Sequence, residues 1–189
     1  MSYKYDYWSF GNVLNQQEIF EINNFIDKNF HAFEPSSHSA KDLEGNIKKT
    51  STVKQIDYYK VKHLLHNIVD KIINVTEMEF GYIIYGLKNN DVILLNEYSS
   101  DNLGKYDWHI DTSQSNLHET KMTALINVST ELYEGGKFEI FNTNQYEVKE
   151  LNKPGNLIMF KSFLNHRVLP ITKGKRRTLT IFLHGPKFR

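Results

Sequence analysis

Apolar residues recur at helical spacing early in the chain and at alternating spacing later, so the pattern predicts helices first and strands afterwards. Ile19, Phe20, Ile22, Phe25, Ile26 and Phe30 form the first helical stripe. It opens at Asn15-Gln16-Gln17-Glu18, a capping box in which asparagine and glutamate each satisfy a free N–H of the first turn. Pro35 closes the segment. A second stripe of Val61, Leu64, Leu65, Ile68, Val69, Ile72 and Ile73 predicts a helix from about Tyr59 to Asn74. His63 and His66, one turn apart on it, read as surface histidines. Between the helices, Pro35 to Thr52 is polar and carries serines, lysines and Gly45. It reads as a mobile loop, and the stretch Ser36 to Lys49 is expected to act as a lid over substrate.

From residue 79 the period shortens. Predicted strands are Glu79–Tyr85, Val92–Tyr98, Tyr106–Asp111, Met122–Val128, Lys137–Phe141, Tyr146–Glu150, Leu157–Phe160, Arg167–Pro170 and Thr178–Leu183. Turn residues separate them at Asn89-Asn90-Asp91, Gly104, Gly135-Gly136, Pro154-Gly155 and Lys173-Gly174. Many short strands at near-even spacing predict a barrel or sandwich, here mainly β with flanking helices. One domain over residues 1–189 is expected, helical to about residue 76 and strand-rich from about 79 to 186.

Composition narrows the chemistry. The chain has no cysteine, which removes disulfides and thiolate metal sites and fits a cytoplasmic setting. Neither a signal-peptide run nor a stretch long enough to span a membrane is read. A net charge of +1 gives no global field for nucleic acid or a membrane surface. Charge is uneven, however: the last acidic residue is Glu150, and nine lysines and arginines follow it. Most of them read as a solvated edge, and part of the charge as attraction for a dicarboxylate co-substrate or an acidic partner.

The candidate chemistry sits at His109-Ile110-Asp111. On a strand, residues two apart share a face, so an imidazole and a carboxylate converge. His166, arriving from a distant strand, completes two histidines and one carboxylate on one side of a metal. Such a set leaves open positions that suit Fe(II) with a chelating co-substrate and O2. The same ligands also fit a hydrolytic zinc site.

Tyr133-Glu134-Gly135-Gly136, then Pro154-Gly155 leading to Phe160, then His166-Arg167-Val168-Leu169-Pro170 running to Gly174, Arg176 and Thr178-Leu179 follow in order. With the His-x-Asp pair this resembles the prolyl-4-hydroxylase-like branch of the Fe(II)/2-oxoglutarate dioxygenases, over roughly Val92 to Pro186. The resemblance implies a double-stranded β-helix (jelly roll) and iron held by His109, Asp111 and His166. It implies 2-oxoglutarate and O2 as co-substrates and ascorbate as reductant. Arg176 then grips the distal carboxylate of 2-oxoglutarate, with Thr178, Tyr98 and Thr123 as further co-substrate contacts. Arg177 points the opposite way, to solvent. Leu125 stands where some relatives carry a second co-substrate tyrosine, so that hydrogen bond is missing here. Asp111 argues against halogenation, which needs that carboxylate gone. Tyr106 and Trp108 flank the ligand pair, with packing expected for Trp108, and Gln114 and His118 lie on the loop beyond it.

The expected activity is hydroxylation of an unactivated C–H bond, foremost of a prolyl residue in a peptide or protein. A free amino acid or other small metabolite is the alternative substrate. A non-catalytic or hydrolytic metal-binding jelly roll is the alternative class.

Overall fold

Alternation along the strands builds two facing sheets, and helices cover one of them. The structure, a computed structural model, describes residues 5–29, 34–35, 41, 44–112 and 118–187. Fourteen strands and two α-helices are described. The first strand, β1 (Tyr7–Phe10), precedes α1 (Gln16–Asn29). Then come β2 (Glu34–Pro35), β3 (Lys49–Thr50), β4 (Thr52–Asp57) and α2 (Tyr58–Phe80). The strand-rich part holds β5 (Val92–Ser99), β6 (Lys105–His109), β7 (Glu119–Asn127), β8 (Glu134–Gly135), β9 (Phe138–Asn142), β10 (Asn144–Glu147), β11 (Leu157–Lys161), β12 (Asn165–Val168), β13 (Ile171–Lys173) and β14 (Lys175–Gly185).

The major sheet runs β1-β11-β7-β14-β5-β4-β2 and the minor sheet β10-β9-β12-β6-β3, with β13 and β8 as a separate pair. Every pairing is antiparallel. This is the jelly roll that the resemblance implies, and it fits the barrel or sandwich of the strand pattern. Parity divides the major sheet's side chains cleanly. Ile93 and Leu95 of β5, Met122, Ala124 and Ile126 of β7, and Leu179, Ile181 and Leu183 of β14 pack against the helices. Their alternates Tyr98, Leu125, Ile158 and Phe160 belong to a second core between the sheets. Because both faces are covered, β11 reads as an unbroken apolar run, Leu157-Ile158-Met159-Phe160.

Local chemistry explains the helix ends. Both arms of the capping box form: Asn15 N–H donates to Glu18 Oε2 at 2.7 Å, and Glu18 N–H to Asn15 Oδ1 at 3.0 Å. Ile19, Ile22 and Ile26 of the stripe are buried, but Phe20 is exposed; Phe30 lies outside the described residues. Helix α2 continues past the expected end at Asn74. The buried Thr76 hydroxyl donates to Ile72 O at 2.7 Å, and Gly81 closes the helix in the left-handed conformation.

The structure corrects three expectations. No strand forms over Glu79–Tyr85: residues 79–80 finish α2 and the rest is irregular. The part before residue 76 is not helical throughout, because β1 and β4 complete the major sheet around β11 and β5. The polar segment up to Thr52 is not loop to its end. Lys49 and Thr50 pair with Tyr106 and Lys105, and Asp107 N–H donates to Lys48 O at 2.7 Å. Residues 36–40 and 42–43 of the expected lid lie outside the described residues. Among the described residues, no helix is long and apolar enough to cross a membrane.

Candidate metal centre

Neighbouring strands of the minor sheet bring the two histidines together. His109 ends β6, His166 lies on β12, and the two are cross-strand partners. Asp111 stands just past the end of β6, where its N–H donates to Ser162 O at 2.8 Å. One ligand atom from each residue lies within 4.8 Å of the others. Asp111 Oδ2 is 3.3 Å from His166 Nε2, and Oδ1 is 3.7 Å from His109 Nε2.

Both imidazoles are oriented through their far nitrogens. His109 Nδ1 is 2.7 Å from Asp107 O, and His166 Nδ1 is 2.9 Å from Leu164 O. A carbonyl oxygen only accepts, so each Nδ1 carries the proton and each Nε2 turns a lone pair to the centre. Burial, then the neighbouring His166, push His109 down to about 3, so it is a neutral ligand at pH 7. Burial pushes the Asp111 carboxyl up, but His166, His109 and the Thr123 hydroxyl outweigh it and hold Asp111 below its ordinary value. Thr123 Oγ1 donates to Asp111 Oδ2 at 2.9 Å and lies 3.0 Å from Ser162 Oγ. Thr123 therefore buttresses the carboxylate and is not among the residues that line the cavity.

A bulge sets what else faces the centre. Between the pairs His166–His109 and Val168–Tyr106, β6 spends one residue more than β12. Plain alternation turns Tyr106 away from His109. With the bulge, its ring stacks on His109 at 3.4 Å between centroids. Trp108 points away, edge-on to Phe141 and 4.5 Å beneath the Arg167 guanidinium, so it packs as expected.

The triad opens into a cavity of about 200 Å3 between the sheets. Arg176, Thr178, Thr180 and Phe182 of β14 line it, with Leu94, Asn96 and Tyr98 of β5 and Leu125 of β7. Arg176 and Tyr98 are cross-strand partners, as are Thr178 and Asn96. Arg176 is 1% exposed, and among the described residues its Nε and Nη2 have no hydrogen-bond partner. Room for its stem comes from Gly136, at φ +62°: a Cβ there would meet Ile171 Cδ1 at 2.2 Å and Arg176 Cδ at 3.1 Å. Burial raises the Tyr98 and Tyr106 phenols, so both remain protonated donors. Leu125 presents an apolar wall at the position where the sequence lacks a tyrosine.

Arg177 faces the helices, not open solvent. Its Nε donates to Glu97 Oε2 at 2.7 Å, and its Nη1 to Asn23 Oδ1 at 2.9 Å and Asp27 Oδ1 at 2.8 Å. His118 stacks edge-on to His184, outside the cavity; Gln114 lies outside the described residues. His63 and His66 are exposed on α2. Sequence reasoning missed Lys49, which reaches the cavity from β3. Its Nζ lies 4.5 Å from the centre of the Tyr106 ring and 3.4 Å from Asn96 Oδ1. Burial draws Lys49 down to about 8, against the pull of Asp111. The closely spaced β-branched residues Thr50, Thr52 and Val53 are the one hint of strand there.

Three ligands from two histidines and one carboxylate, with an orphaned guanidinium in the same cavity, fit Fe(II) and a carboxylate-bearing chelator. The jelly roll and this triad define a metal-dependent enzyme of the oxygenase kind. The profile of the 2OG-Fe(II) oxygenase superfamily matches residues 93–184, and the chain belongs to that superfamily.

Solved structures extend the likeness of fold to nearly the whole chain. A Pseudomonas putida prolyl-4-hydroxylase is 14% identical with a TM-score of 0.71, over 97% of this chain and 95% of that one. A Trichoplax adhaerens prolyl hydroxylase, in complex with a hypoxia inducible factor peptide fragment, is 16% identical with a TM-score of 0.69, over 95% and 84%. A viral collagen prolyl hydroxylase from Paramecium Bursaria Chlorella virus-1, in a 2OG complex, is 15% identical with a TM-score of 0.68, over 96% and 97%. No curated protein matches the chain. The protein is thus an Fe(II)- and 2-oxoglutarate-dependent enzyme with the fold of the prolyl-4-hydroxylase-like branch.

Proposed function

We propose that this enzyme hydroxylates an unactivated C–H bond, foremost that of a prolyl residue in a peptide or protein. Iron, 2-oxoglutarate and O2 together supply the oxidant when bound, with ascorbate as reductant. His109, Asp111 and His166 would hold the metal. Arg176 would take the distal carboxylate of 2-oxoglutarate, with Thr178 and Tyr98 beside it. Thr123 fixes the Asp111 carboxylate, and the apolar walls of Leu125, Phe138 and Phe182 keep water from the space between.

One observation carries this reading: a fully buried guanidinium, with two nitrogens unpartnered among the described residues, shares a cavity with the triad. A buried unpaired charge costs several kcal/mol, so a ligand carboxylate is its natural partner. The prolyl substrate is supported by likeness of fold to prolyl hydroxylases. A free amino acid is the second reading, favoured by the additional cation at Lys49.

The test has two stages. Anaerobic addition of 2-oxoglutarate to the Fe(II) protein should produce a weak visible charge-transfer band, which His109→Ala, Asp111→Ala and His166→Ala each abolish. A mass-spectrometric screen of prolyl peptides and amino acids for a gain of one oxygen then identifies the product. A triad variant that keeps normal iron affinity and succinate formation would remove that residue from the ligand set.

A further inference from the structure

We propose that Lys49 is a second carboxylate-binding group of the cavity, reserved for the substrate that is oxidised, and that this substrate carries a free carboxylate as a free amino acid does. The inference rests on the oxygenase reading above and decides between its two substrates.

Charge balance carries the first step. With metal and co-substrate bound, the ion's two positive charges and the Arg176 guanidinium are matched by Asp111 and the two carboxylates of 2-oxoglutarate. Lys49 remains as a half-buried ammonium facing the same cavity. Among the described residues it makes no salt bridge; its polar contact is the neutral Asn96 oxygen at 3.4 Å. That oxygen carries no net charge and is a weaker partner for a cation than a carboxylate. A charge-assisted bond to a ligand carboxylate is the stronger alternative.

Placement carries the second step. Arg176 and Thr178 lie on β14, on the major sheet. Lys49 arrives on the edge strand β3 of the opposite sheet, over the Tyr106 ring that stacks on His109. The two cations thus approach from different walls, and the metal-ligating histidine lies next to the Lys49 side. A substrate carboxylate gripped there sets its neighbouring carbon chain beside the triad. An internal prolyl residue of a peptide, with its carbonyl in an amide bond, has no charge to offer.

Mn(II) in place of iron permits binding without turnover. Calorimetry of 2-oxoglutarate with the Mn(II) protein should give the same affinity, within twofold, for the wild type and Lys49→Met. The Mn(II)–2-oxoglutarate protein is then tested by thermal shift against the common amino acids, their carboxamides, and an internally placed proline in a blocked tetrapeptide. At least one amino acid should raise Tm, and its carboxamide should not. Lys49→Met should weaken that amino acid at least tenfold, and Lys49→Arg should restore part of the loss. Equal binding of acid and carboxamide, preference for the blocked peptide, or no amino acid binding each overturns the proposal. So does a large loss of 2-oxoglutarate affinity in Lys49→Met, which would make Lys49 a co-substrate group. Failure of the wild type itself to bind 2-oxoglutarate would sink the oxygenase reading and this proposal with it.

Discussion

Arg176 and Arg177 are adjacent on one strand, and the sheet sends them to opposite fates. Arg176 points between the sheets, is 1% exposed, and leaves Nε and Nη2 without partners among the described residues. Arg177 points to the helices, where Glu97, Asn23 and Asp27 satisfy it. Residues of the same type, one position apart, have opposite electrostatic accounts. Arg177 joins β14 to β5 and α1, so its charge is used within the fold. Among the described residues Arg176 makes no comparable tie, and the proposed function assigns its charge to a ligand. An unpaired buried cation destabilises the fold that carries it.

The largest expected effect is on Arg176. A charge-assisted pair with a carboxylate is worth on the order of 1.5–3 kcal/mol, and ~1.4 kcal/mol is tenfold in affinity. Arg176→Met should weaken 2-oxoglutarate binding to the Mn(II) protein by roughly ten- to hundredfold. Thermal stability without ligand should stay level or rise, because an apolar chain of similar length replaces an unpaired buried charge. A fall in Tm with unchanged 2-oxoglutarate affinity would reverse the roles assigned to the two arginines.

The inward residue of this pair was legible in sequence and the outward one was not. The resemblance selects Arg176, two residues after Gly174, and parity says only that one of the two adjacent arginines can face inward. Parity also turns Arg177 outward, but a strand cannot reveal what covers its far face. Only packing of α1 against β14 and β5 brings Asn23 and Asp27 to that guanidinium. The same limit hid Lys49, because the serines and lysines before it mark a loop and its pairing partner Tyr106 lies far along the chain. Tyr106 was obscured differently, since a bulge overrides alternation between it and His109. The predicted strand over Glu79–Tyr85 failed because Phe80, Tyr82 and Ile84 alternate like strand residues, yet the first ends α2 and the others pack on the core without a ladder. Where apolar alternation was long, as in β5, β7 and β14, the sequence specified the elements well.

Removing Arg177 tests the other half of the pair. Arg177→Ala deletes bonds to two carboxylates and leaves Glu97, largely covered, without its closest cation. Asp27 is half exposed and contributes little. The expected loss is about 2 kcal/mol, which for a chain of this size lowers Tm by roughly 4–8 °C. Affinity for 2-oxoglutarate should stay within twofold, measured by the same calorimetry. A loss of 2-oxoglutarate binding larger than that of Arg176→Met would mean the register of β14 is displaced by one residue.

The smallest effect sharpens the contrast within the inward face. Thr178 is two residues from Arg176, buried, and on the same cavity wall. Its hydroxyl is neutral, so a bond to the co-substrate carboxylate would contribute only about 0.5–1.5 kcal/mol. Valine matches threonine in shape and removes that donor alone. Thr178→Val should therefore weaken 2-oxoglutarate binding by roughly two- to tenfold, well short of the loss in Arg176→Met. Combining the two substitutions tests whether they act on one group. If both hold the same carboxylate, the double variant should lose less than the product of the single losses, because removing Arg176 already frees that carboxylate to move. Strict additivity would place the Thr178 hydroxyl on another part of the ligand, and an unchanged affinity would make Thr178 a packing residue of the wall.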